Sequence, residues 1–350
     1  MNSICVFTSD IAALLGISTF DPQQVIERYL KKYDYEFIKK VNESVNSEIE
    51  ILNVKTKEKE VELQDLEIDL ETKKITKRQF DLKKSKIENE KQDIIEKNET
   101  LEENNDLLNL SKKDYIEKKI GTDNLLVITN EKDLEKQKVL SKELIKKNIK
   151  GKDSILFTKK MTSLINTNYG TAKEMSAIEM FEEKEHIKLN TSQTFYKSDI
   201  CKIDNTLFII GGKVDGLCEN YIVEVKNRTK CFFYKIREYE MVQIQMYMHI
   251  LNYNKIKLVE KCKGVIRITD VERDQSFIDE ILKKLEIFCK IFLNLLSSEN
   301  LKNKYYSGTF SEKEDFIYKY IFSEIERQFN DETQNEIEME TQDCNLNIRE

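Results

Sequence analysis

The sequence predicts an α/β protein whose core is interrupted by a long helical insertion. Two stretches support this prediction. Residues 211–247 are predicted to form a β-hairpin followed by a helix, with Asp215 at the end of the first strand and Glu224 to Lys226 in the second. Residues 41–120 contain neither glycine nor proline and are dense in Glu, Lys, Asp and Asn, which is typical of long solvated helices. We therefore expect a mixed central sheet flanked by helices, with a coiled-coil-like segment inserted into it.

The chain opens with a short helix, a turn and a second helix. In the segment FTSDIAALLG, Ser9 or Thr8 is suited to the N-cap position, and Gly16 is suited to the position that follows the helix. Pro22 is suited to the first turn of a second helix that ends near residue 40.

The insertion carries two apolar series with a seven-residue spacing, which is the pattern of helices that pack along a narrow seam. The first series is Val54, Val61, Ile68, Ile75 and Leu82, and the second is Phe80, Ile87, Ile94, Leu101 and Leu108. A helical hairpin and a continuous rod both agree with these two series. The segment binds a partner or forms an oligomer on one interpretation, and is a solvated spacer on the other.

Charge is unevenly distributed along the remaining chain. Residues 132–160 contain ten lysines and four acidic residues, whereas residues 331–350 contain seven acidic residues and one arginine. The last twenty residues are predicted to be disordered. The predicted domains are residues 1–40 and 151–330 as the core, 41–150 as the helical insertion, and 331–350 as an acidic tail.

Composition excludes several classes of protein. The seven cysteines of the 350-residue chain include no C-x-x-C pair, which argues against a disulfide framework, a zinc ribbon or a clustered iron–sulfur site. The sequence shows neither a secretory signal nor an apolar run of about 18 residues, so we expect a soluble intracellular protein without a membrane partner. The net charge of −7 does not favour a general nucleic-acid binder.

Candidate chemistry is concentrated in residues 211–247. Because side chains alternate along a strand, Glu224 and Lys226 share one face of the second strand. The preceding strand breaks at a Gly-Gly pair, suited to a bulge or a close approach, and brings Asp215 near Glu224. Two carboxylates beside a lysine can hold a divalent cation, and the lysine can then steer or deprotonate a water. The same spacing also arises by chance on a charged, solvated strand.

Further motifs lie on either side. Gly170 is predicted to begin a helix with Glu174 one turn further on, and Gln243 and Tyr247 share one face of a later helix. Residues 191–202 and 263–269 are predicted strands, and residues 275–296 form an amphipathic helix that should lie on the sheet.

Taken in order, these motifs resemble the PD-(D/E)XK (restriction-endonuclease-like) nuclease superfamily, and within it the lambda-exonuclease or YqaJ-like viral recombinase family. The resemblance rests on FTSDIAALLG, G-x-x-x-E at Gly170 to Glu174, GGKVDGLC with Asp215, VEVK with Glu224 and Lys226, and QIQMYM with Gln243 and Tyr247. It covers residues 6–40 and 167–296.

The resemblance implies a set of site residues. The implied metal ligands are Asp215, Glu224, the Val225 carbonyl and Glu174, the last through a water or a second metal ion. Lys226 would orient or activate the attacking water, and Gln243 would position that lysine or a ligand. The residues assigned to DNA contact are Ser9, Thr8, Tyr247, Lys159 and Lys160. The implied cofactor is Mg²⁺, with Mn²⁺ as a substitute and without an iron–sulfur cluster.

Two features depart from the family. Its members often place an arginine just before the serine motif to bind a 5′-phosphate, whereas the first arginine here is Arg28. The helical insertion also has no counterpart in the family pattern. The insertion could bind a recombinase or replication partner, and related enzymes form trimeric rings.

The sequence therefore predicts a Mg²⁺-dependent deoxyribonuclease, most specifically an exonuclease that hydrolyses phosphodiesters at double-stranded DNA ends during recombination, repair or replication. One alternative is a structure- or site-specific endonuclease on the same core. Another is a non-catalytic scaffold with a vestigial nuclease core. A third is a coiled-coil structural protein in which the site pattern is accidental.

Overall fold

The computed structural model describes residues 2–18, 22–149 and 153–346, and these form a mostly helical α/β protein with two small mixed sheets. The chain divides into two compact units. The core unit comprises Met1–Tyr29 and Ile116–Glu350, and the second unit, which we call the arm, comprises Leu30–Tyr115.

The strands of the core unit are β1 (Asn2–Phe7), β2 (Tyr196–Ile203), β3 (Thr206–Gly212), β4 (Gly216–Leu217), β5 (Ile222–Asn227), β6 (Lys255–Cys262) and β7 (Val265–Glu272). One sheet has the order β1-β3-β2, in which β1 runs parallel and β2 antiparallel to β3. The other has the order β4-β5-β6-β7, in which only β5 and β6 are parallel.

The prediction of one central sheet, and of a direct hairpin between its first two strands, was wrong. β3 ends at Gly212, and β5 pairs with the two-residue strand β4 instead. The physical reason is that β1 and β2 occupy both edges of β3, which leaves no free edge for β5. Where the short β4–β5 ladder ends, the Val225 amide donates to the Asp215 carboxylate at 2.7 Å instead of to a backbone carbonyl.

The helices begin with α1 (Ile11–Leu14), α2 (Pro22–Tyr33), α3 (Tyr35–Glu71), α4 (Lys77–Asn109), α5 (Lys112–Ile120), α6 (Thr122–Asn130), α7 (Leu134–Asn148) and α8 (Asp153–Glu185). The later helices are α9 (Glu238–Leu251), α10 (Gln275–Ser297), α11 (Glu299–Tyr306), α12 (Phe310–Phe316), a π-helical segment (Ile317–Phe322) and α13 (Ser323–Leu346). No helix in the described ranges is long and apolar enough to cross a membrane.

β5 is covered on both faces, and this cover positions the charged residues. Val223 and Val225 pack with Phe181 of α8, whereas Ile222 packs with Ile244 of α9. The alternation predicted from the sequence is confirmed, because Glu224 and Lys226 share the face of Ile222 and meet α9. Burial of these aliphatic side chains, at about 25 cal/mol per Å² of apolar surface, holds the strand between the two helices.

The N-terminal helix differs from its prediction. α1 is a single turn whose N-cap is Asp10, so the assignment of Ser9 or Thr8 as N-cap was wrong. Asp10 makes no side-chain cap because its carboxylate accepts hydrogen bonds from Arg28 and from the Tyr29 hydroxyl. Gly16 has a φ of +73°, as expected of the residue that follows a helix. α1 packs against α9.

The arm is a helical hairpin, which decides between the two geometries that the sequence allows. α3 and α4 pack along each other, and the turn between them contains Lys73 at a φ of +59°. Thr76 and Gln79 then form a capping box that starts α4. The compact unit is shorter than the predicted insertion of residues 41–150, because α6 packs on α7 and α7 packs on α8 in the core unit.

The first predicted seam of the arm was wrong. Val54, Val61 and Ile68 are exposed, and the buried residues of α3 lie two positions earlier, at Leu52 and Leu66. The intervening seam position is Lys59, which forms ion pairs with Glu62 and, across the hairpin, with Glu90. Lys59 thus interrupts the seam between Leu52 and Leu66, so a search for uninterrupted apolar heptads finds the exposed face instead.

Amide side chains also connect the two helices of the arm. The pairs are Asn42 with Asn109, Asn46 with Asn105 and Asn53 with Asn98, at 2.8 to 3.2 Å. Hydrogen-bonded polar pairs specify the register of a helical pair at some cost in stability, because each must match its partner along the axis.

The acidic tail is helical where disorder was predicted. α13 continues to Leu346, and residues 347–350 lie outside the described part of the chain. Arg327 pairs with Glu324 and Asp331, three and four residues away, which favours a helix even in a strongly acidic sequence.

A matched pair of substitutions tests the seam of the arm. Leu52→Ala should lower the free energy of unfolding by about 2–3 kcal/mol, because it removes a buried side chain. Val54→Ala should change it by less than about 0.5 kcal/mol, because that side chain is already in water. Urea unfolding followed by circular dichroism at 222 nm measures both. Equal losses for the two variants would contradict the seam described above.

Candidate functional site

The centre of the candidate site is Glu224, which β5 presents towards α9. Its side chain is 3% exposed, and one carboxylate oxygen, Oε1, accepts a hydrogen bond from Lys226 Nζ at 2.7 Å. The other oxygen, Oε2, is buried and has no hydrogen-bond donor. An ionised carboxylate with one unpaired oxygen in a buried place is unstable unless positive charge is added to it.

Asp215 provides the second carboxylate. It follows β3 after a turn of the chain, and its Oδ2 accepts the hydrogen bond from the Val225 amide. Burial raises the pKa of Asp215 to about 6. The hydrogen bond from the Val225 amide opposes this rise more strongly than the nearby charge of Glu174 adds to it, and Lys226 also lowers the pKa. The amide and carbonyl of a strand residue point to the same edge of the strand, so the Val225 carbonyl faces the Asp215 side.

The charge of the site is predominantly negative. Burial raises the pKa of Glu224 to about 7, and the charge of Asp215 adds to this effect. The pKa of Glu174, on α8, is likewise raised by burial and then by Glu224. Burial alone would lower the pKa of Lys226, yet the adjacent Glu224 carboxylate raises it above its ordinary value. One ammonium group therefore faces three carboxylates.

These three carboxylates do not converge on a single position. Within the described ranges, no three His, Cys, Asp or Glu side chains form a group that could hold a metal ion. The oxygen atoms on this side of β5 come instead from Asp215, Glu224 and the backbone of Val225. Any ion bound there would keep part of its coordination shell for water or for a substrate.

A continuous chain of hydrogen bonds runs from Glu224 to the N-terminal segment. Lys226 Nζ donates to Gln243 Oε1 at 3.0 Å, and Gln243 Nε2 donates to the Tyr247 hydroxyl at 3.1 Å. Tyr247 is in turn hydrogen-bonded to the side chain of Thr8. The lysine is thus held in place by residues from β5, from two turns of α9, and from the segment after β1.

Gly212 makes this arrangement possible. A Cβ atom at this position would lie 2.2 Å from Thr8 Oγ1 and 2.8 Å from the Tyr247 ring. The neighbouring amide of Thr8 donates to the Gly211 carbonyl at 2.9 Å. The close approach expected of the Gly-Gly pair is therefore present, and side chains of the site fill the space.

Gly170 is placed differently from its prediction. It lies in the middle of α8 and does not begin a helix, because the preceding residues continue the helical pattern without a break. A Cβ atom there would meet nothing within 4 Å. Its carbonyl accepts a hydrogen bond from Asn227 Nδ2 at 2.9 Å, which ties α8 to the end of β5. Asn227 was not identified from the sequence.

The residues assigned to DNA contact separate into two groups. Thr8, Tyr247 and Lys160 are buried, so they pack within the protein and do not present a surface for contact with DNA. Ser9 and Lys159 are exposed.

Two ion-paired arginines were not predicted from the sequence. Arg28, 56% exposed, pairs with Asp10, the residue after Ser9, so a guanidinium does lie beside the serine motif although it comes 18 residues later. Arg228, immediately beyond β5, is buried between Glu240 and Glu260. The one signal for this second feature is an acidic residue in the apolar strand LVEKC.

Comparisons with known proteins give distant likenesses. No protein-family model matches the sequence, and a search of curated proteins finds no match. The crystal structure of SSO0001 is 14% identical, with a TM-score of 0.30 over 43% of this chain and 72% of that chain. The alkaline exonuclease LHK-Exo from Laribacter hongkongensis is 17% identical, with a TM-score of 0.32 over 55% of this chain and 97% of that chain. Its complex with dAMP is 16% identical, with the same TM-score and coverage.

Proposed function

We propose that this protein is a metal-dependent DNA nuclease with a PD-(D/E)XK core, most specifically an exonuclease that acts at duplex ends. The observation that carries the proposal is the group formed by buried Glu224 with partly buried Asp215 and Lys226, in which one Glu224 oxygen has no donor. Acidic groups with raised pKa values beside a fixed lysine are typical of sites that do chemistry. The ordered motifs that resemble the lambda-exonuclease family supply the reaction class.

The cofactor that we infer is Mg²⁺, with Mn²⁺ as a substitute, held by Asp215, Glu224 and the Val225 carbonyl. Mg²⁺ prefers oxygen ligands and is usually bound through one or two carboxylates together with waters and substrate phosphates. Two carboxylates and a carbonyl are therefore sufficient. When bound, the ion offsets charge on the phosphodiester oxygens and lowers the pKa of a water. Glu174 would contribute through a water.

The remaining side chains orient the reaction. A lysine ammonium has three donors, and Lys226 uses two of them on Glu224 and Gln243. The third donor is available for the attacking water. Gln243 fixes the lysine because its own amide group donates to Tyr247, so the water would be held without a large loss of side-chain entropy.

DNA contacts are proposed for the exposed members of the predicted set, Ser9 and Lys159. Arg28 adds a cation beside Ser9, at a place where a phosphate could approach. Partner binding and oligomer formation through the arm remain predictions from its length and helical pairing.

Loss of activity in two variants tests the site. Lys226→Ala and Asp215→Asn should each reduce Mg²⁺-dependent degradation of linear duplex DNA by about a hundredfold or more, because each removes a group that orients or binds at the reacting centre. Release of acid-soluble nucleotides measures the rate, and EDTA should abolish it. The matched controls Lys202→Ala, near the end of β2, and Asp204→Asn, in the turn that follows β2, change exposed residues and should retain activity. Full activity in Lys226→Ala would refute its proposed role.

The same preparation distinguishes the two kinds of nuclease. An exonuclease should degrade linear duplex DNA and leave a closed circular duplex of the same sequence intact. Separate 5′ and 3′ labels on the linear substrate then report the end at which digestion begins. Cleavage of the circle at the linear rate would favour the endonuclease alternative.

Two glycine substitutions separate packing at the site from helix stability. Gly212→Ala should reduce both stability and nuclease activity, since the new methyl group would displace Thr8 or Tyr247. Gly170→Ala meets open space inside a helix and should raise the free energy of unfolding by about 0.5–1 kcal/mol. Thermal unfolding and the nuclease assay measure both effects. A stabilising Gly212→Ala would contradict the close packing described above.

The raised pKa of Asp215 predicts a pH-dependent stability difference. Because its folded-state pKa of about 6 exceeds the usual carboxyl value, the folded protein loses stability as the pH rises from about 4 to about 6 and stays destabilised above that range. In EDTA at pH 8, Asp215→Asn should therefore be more stable than the unmodified chain, by at most about 3 kcal/mol. The difference should shrink towards zero as the pH falls from about 7 to about 4, and Asp204→Asn should show no such trend. A difference that does not vary with pH, measured by urea unfolding, would contradict this prediction.

A further inference from the structure

The segment that joins β5 to α9, residues 228–237, departs in composition from the rest of this acidic protein. Its sequence is RTKCFFYKIR, with four cations and no acid. It begins two residues after Lys226 and ends six residues before Gln243, and those two side chains are hydrogen-bonded to each other. This segment, which we call the basic loop, therefore begins beside the candidate site and leads into the helix that carries Gln243.

Buried ion pairs anchor the first residue of the basic loop. The Arg228 guanidinium donates to both oxygens of Glu240 on α9, at 2.6 and 2.9 Å, and to Glu260 on β6 at 2.7 Å. Arg267 on β7 pairs with the other oxygen of Glu260. Hydrogen-bonded ion pairs of this kind hold one geometry, because the planar guanidinium fits the carboxylates in a defined orientation.

Aromatic stacking fixes the middle of the basic loop. The Phe233 ring contacts two guanidinium groups, with Arg228 at 4.1 Å and Arg237 at 4.5 Å from its centroid. Arg267 lies 4.9 Å from the Phe232 ring and donates to the Phe233 carbonyl at 2.6 Å. Both phenylalanine rings thus pack on arginine side chains. The hydrogen bond to the Phe233 carbonyl also holds the backbone immediately before Tyr234.

That next residue is Tyr234, whose side chain is 96% exposed, more than any other large apolar residue in the described part of the chain. The neighbouring Lys230 and Lys235 are also exposed. Nearly the whole ring is therefore open to solvent on a backbone that the neighbouring contacts hold in place. An aromatic ring between exposed cations is the arrangement on which single-stranded nucleic acids stack, with a base on the ring and phosphates near the cations.

We propose that Tyr234 is a stacking platform for an unpaired base of the DNA strand, and that Lys230 and Lys235 attract the adjacent phosphates. The proposal rests on the proposed nuclease function. Because the basic loop begins two residues after Lys226 and leads into the helix that carries Gln243, a base on Tyr234 would keep the strand end near the site. Stacking does not distinguish one base from another, so the platform would accept any sequence.

The chain contains no tryptophan, which makes a direct optical test possible. Tyr234→Trp introduces a single indole whose fluorescence a stacked base should quench. The titrant is a 12-residue oligothymidylate in EDTA, so that the strand is bound and not degraded. The matched control is Tyr318→Trp, at a tyrosine that is 65% exposed elsewhere in the core unit. We expect saturable quenching for Tyr234→Trp alone. Equal quenching in both variants, or none in either, would overturn the proposal.

Affinity provides a second measurement that does not require the indole. Tyr234→Ala should weaken oligothymidylate binding by about tenfold, since that is the effect of losing one base stack, whereas Tyr234→Phe should retain the affinity because the ring remains. Replacing both Lys230 and Lys235 by alanine should lower the salt dependence of binding, by a slope of about 0.7 for each lysine lost. Unchanged affinity in Tyr234→Ala would refute the platform.

The two proposals can fail separately. Binding in EDTA does not depend on cleavage, so quenching without any Mg²⁺-dependent digestion would support the platform and refute the nuclease. Digestion with unchanged oligothymidylate binding in Tyr234→Ala would support the nuclease and refute the platform. If only a protein partner occupies the basic loop, oligothymidylate will not protect the adjacent exposed Cys231 from alkylation, and that result also overturns the proposal.

Discussion

The hydrogen bond from the Val225 amide to the Asp215 carboxylate is the interaction on which the core unit depends. It lies just beyond the end of the β4–β5 ladder and gives the Val225 amide a side-chain acceptor in place of a backbone carbonyl. A buried strand amide needs an acceptor, and a carboxylate satisfies it more strongly than a carbonyl does. As a consequence, the Asp215 carboxylate lies near the Glu224 carboxylate, and their negative charges repel each other.

That placement has an energetic cost that the protein only partly offsets. Lys226 neutralises one oxygen of Glu224, and the remaining negative charge shows itself as raised pKa values of Asp215, Glu174 and Glu224. Carboxylates that repel one another are stabilised when a cation binds to them, because the ion offsets their negative charge. Under the proposed function, cation binding would therefore also stabilise the fold, because it would act on these same carboxylates.

Polar interactions also determine the geometry of parts of the protein farther from this site. Arg228 lies between two buried glutamates and fixes the entry to the basic loop, and asparagine pairs set the register of the arm. Breaking one partner of a buried ion pair leaves an uncompensated charge, so these contacts determine geometry more than they add stability. Rigid presentation of Tyr234 follows from this, since the packed Phe233 precedes it.

Local sequence patterns were sufficient to predict which residues share a face. Period-two alternation placed Glu224 with Lys226, and helical spacing placed Gln243 with Tyr247, because these relations depend only on local backbone geometry. The tertiary structure decided which strands pair, that Thr8 and Tyr247 are buried, that Arg28 reaches Asp10, and that the seam of the arm lies at Leu52 rather than Val54. Those outcomes depend on contacts between residues far apart in the chain, and local spacing contains no information about such contacts.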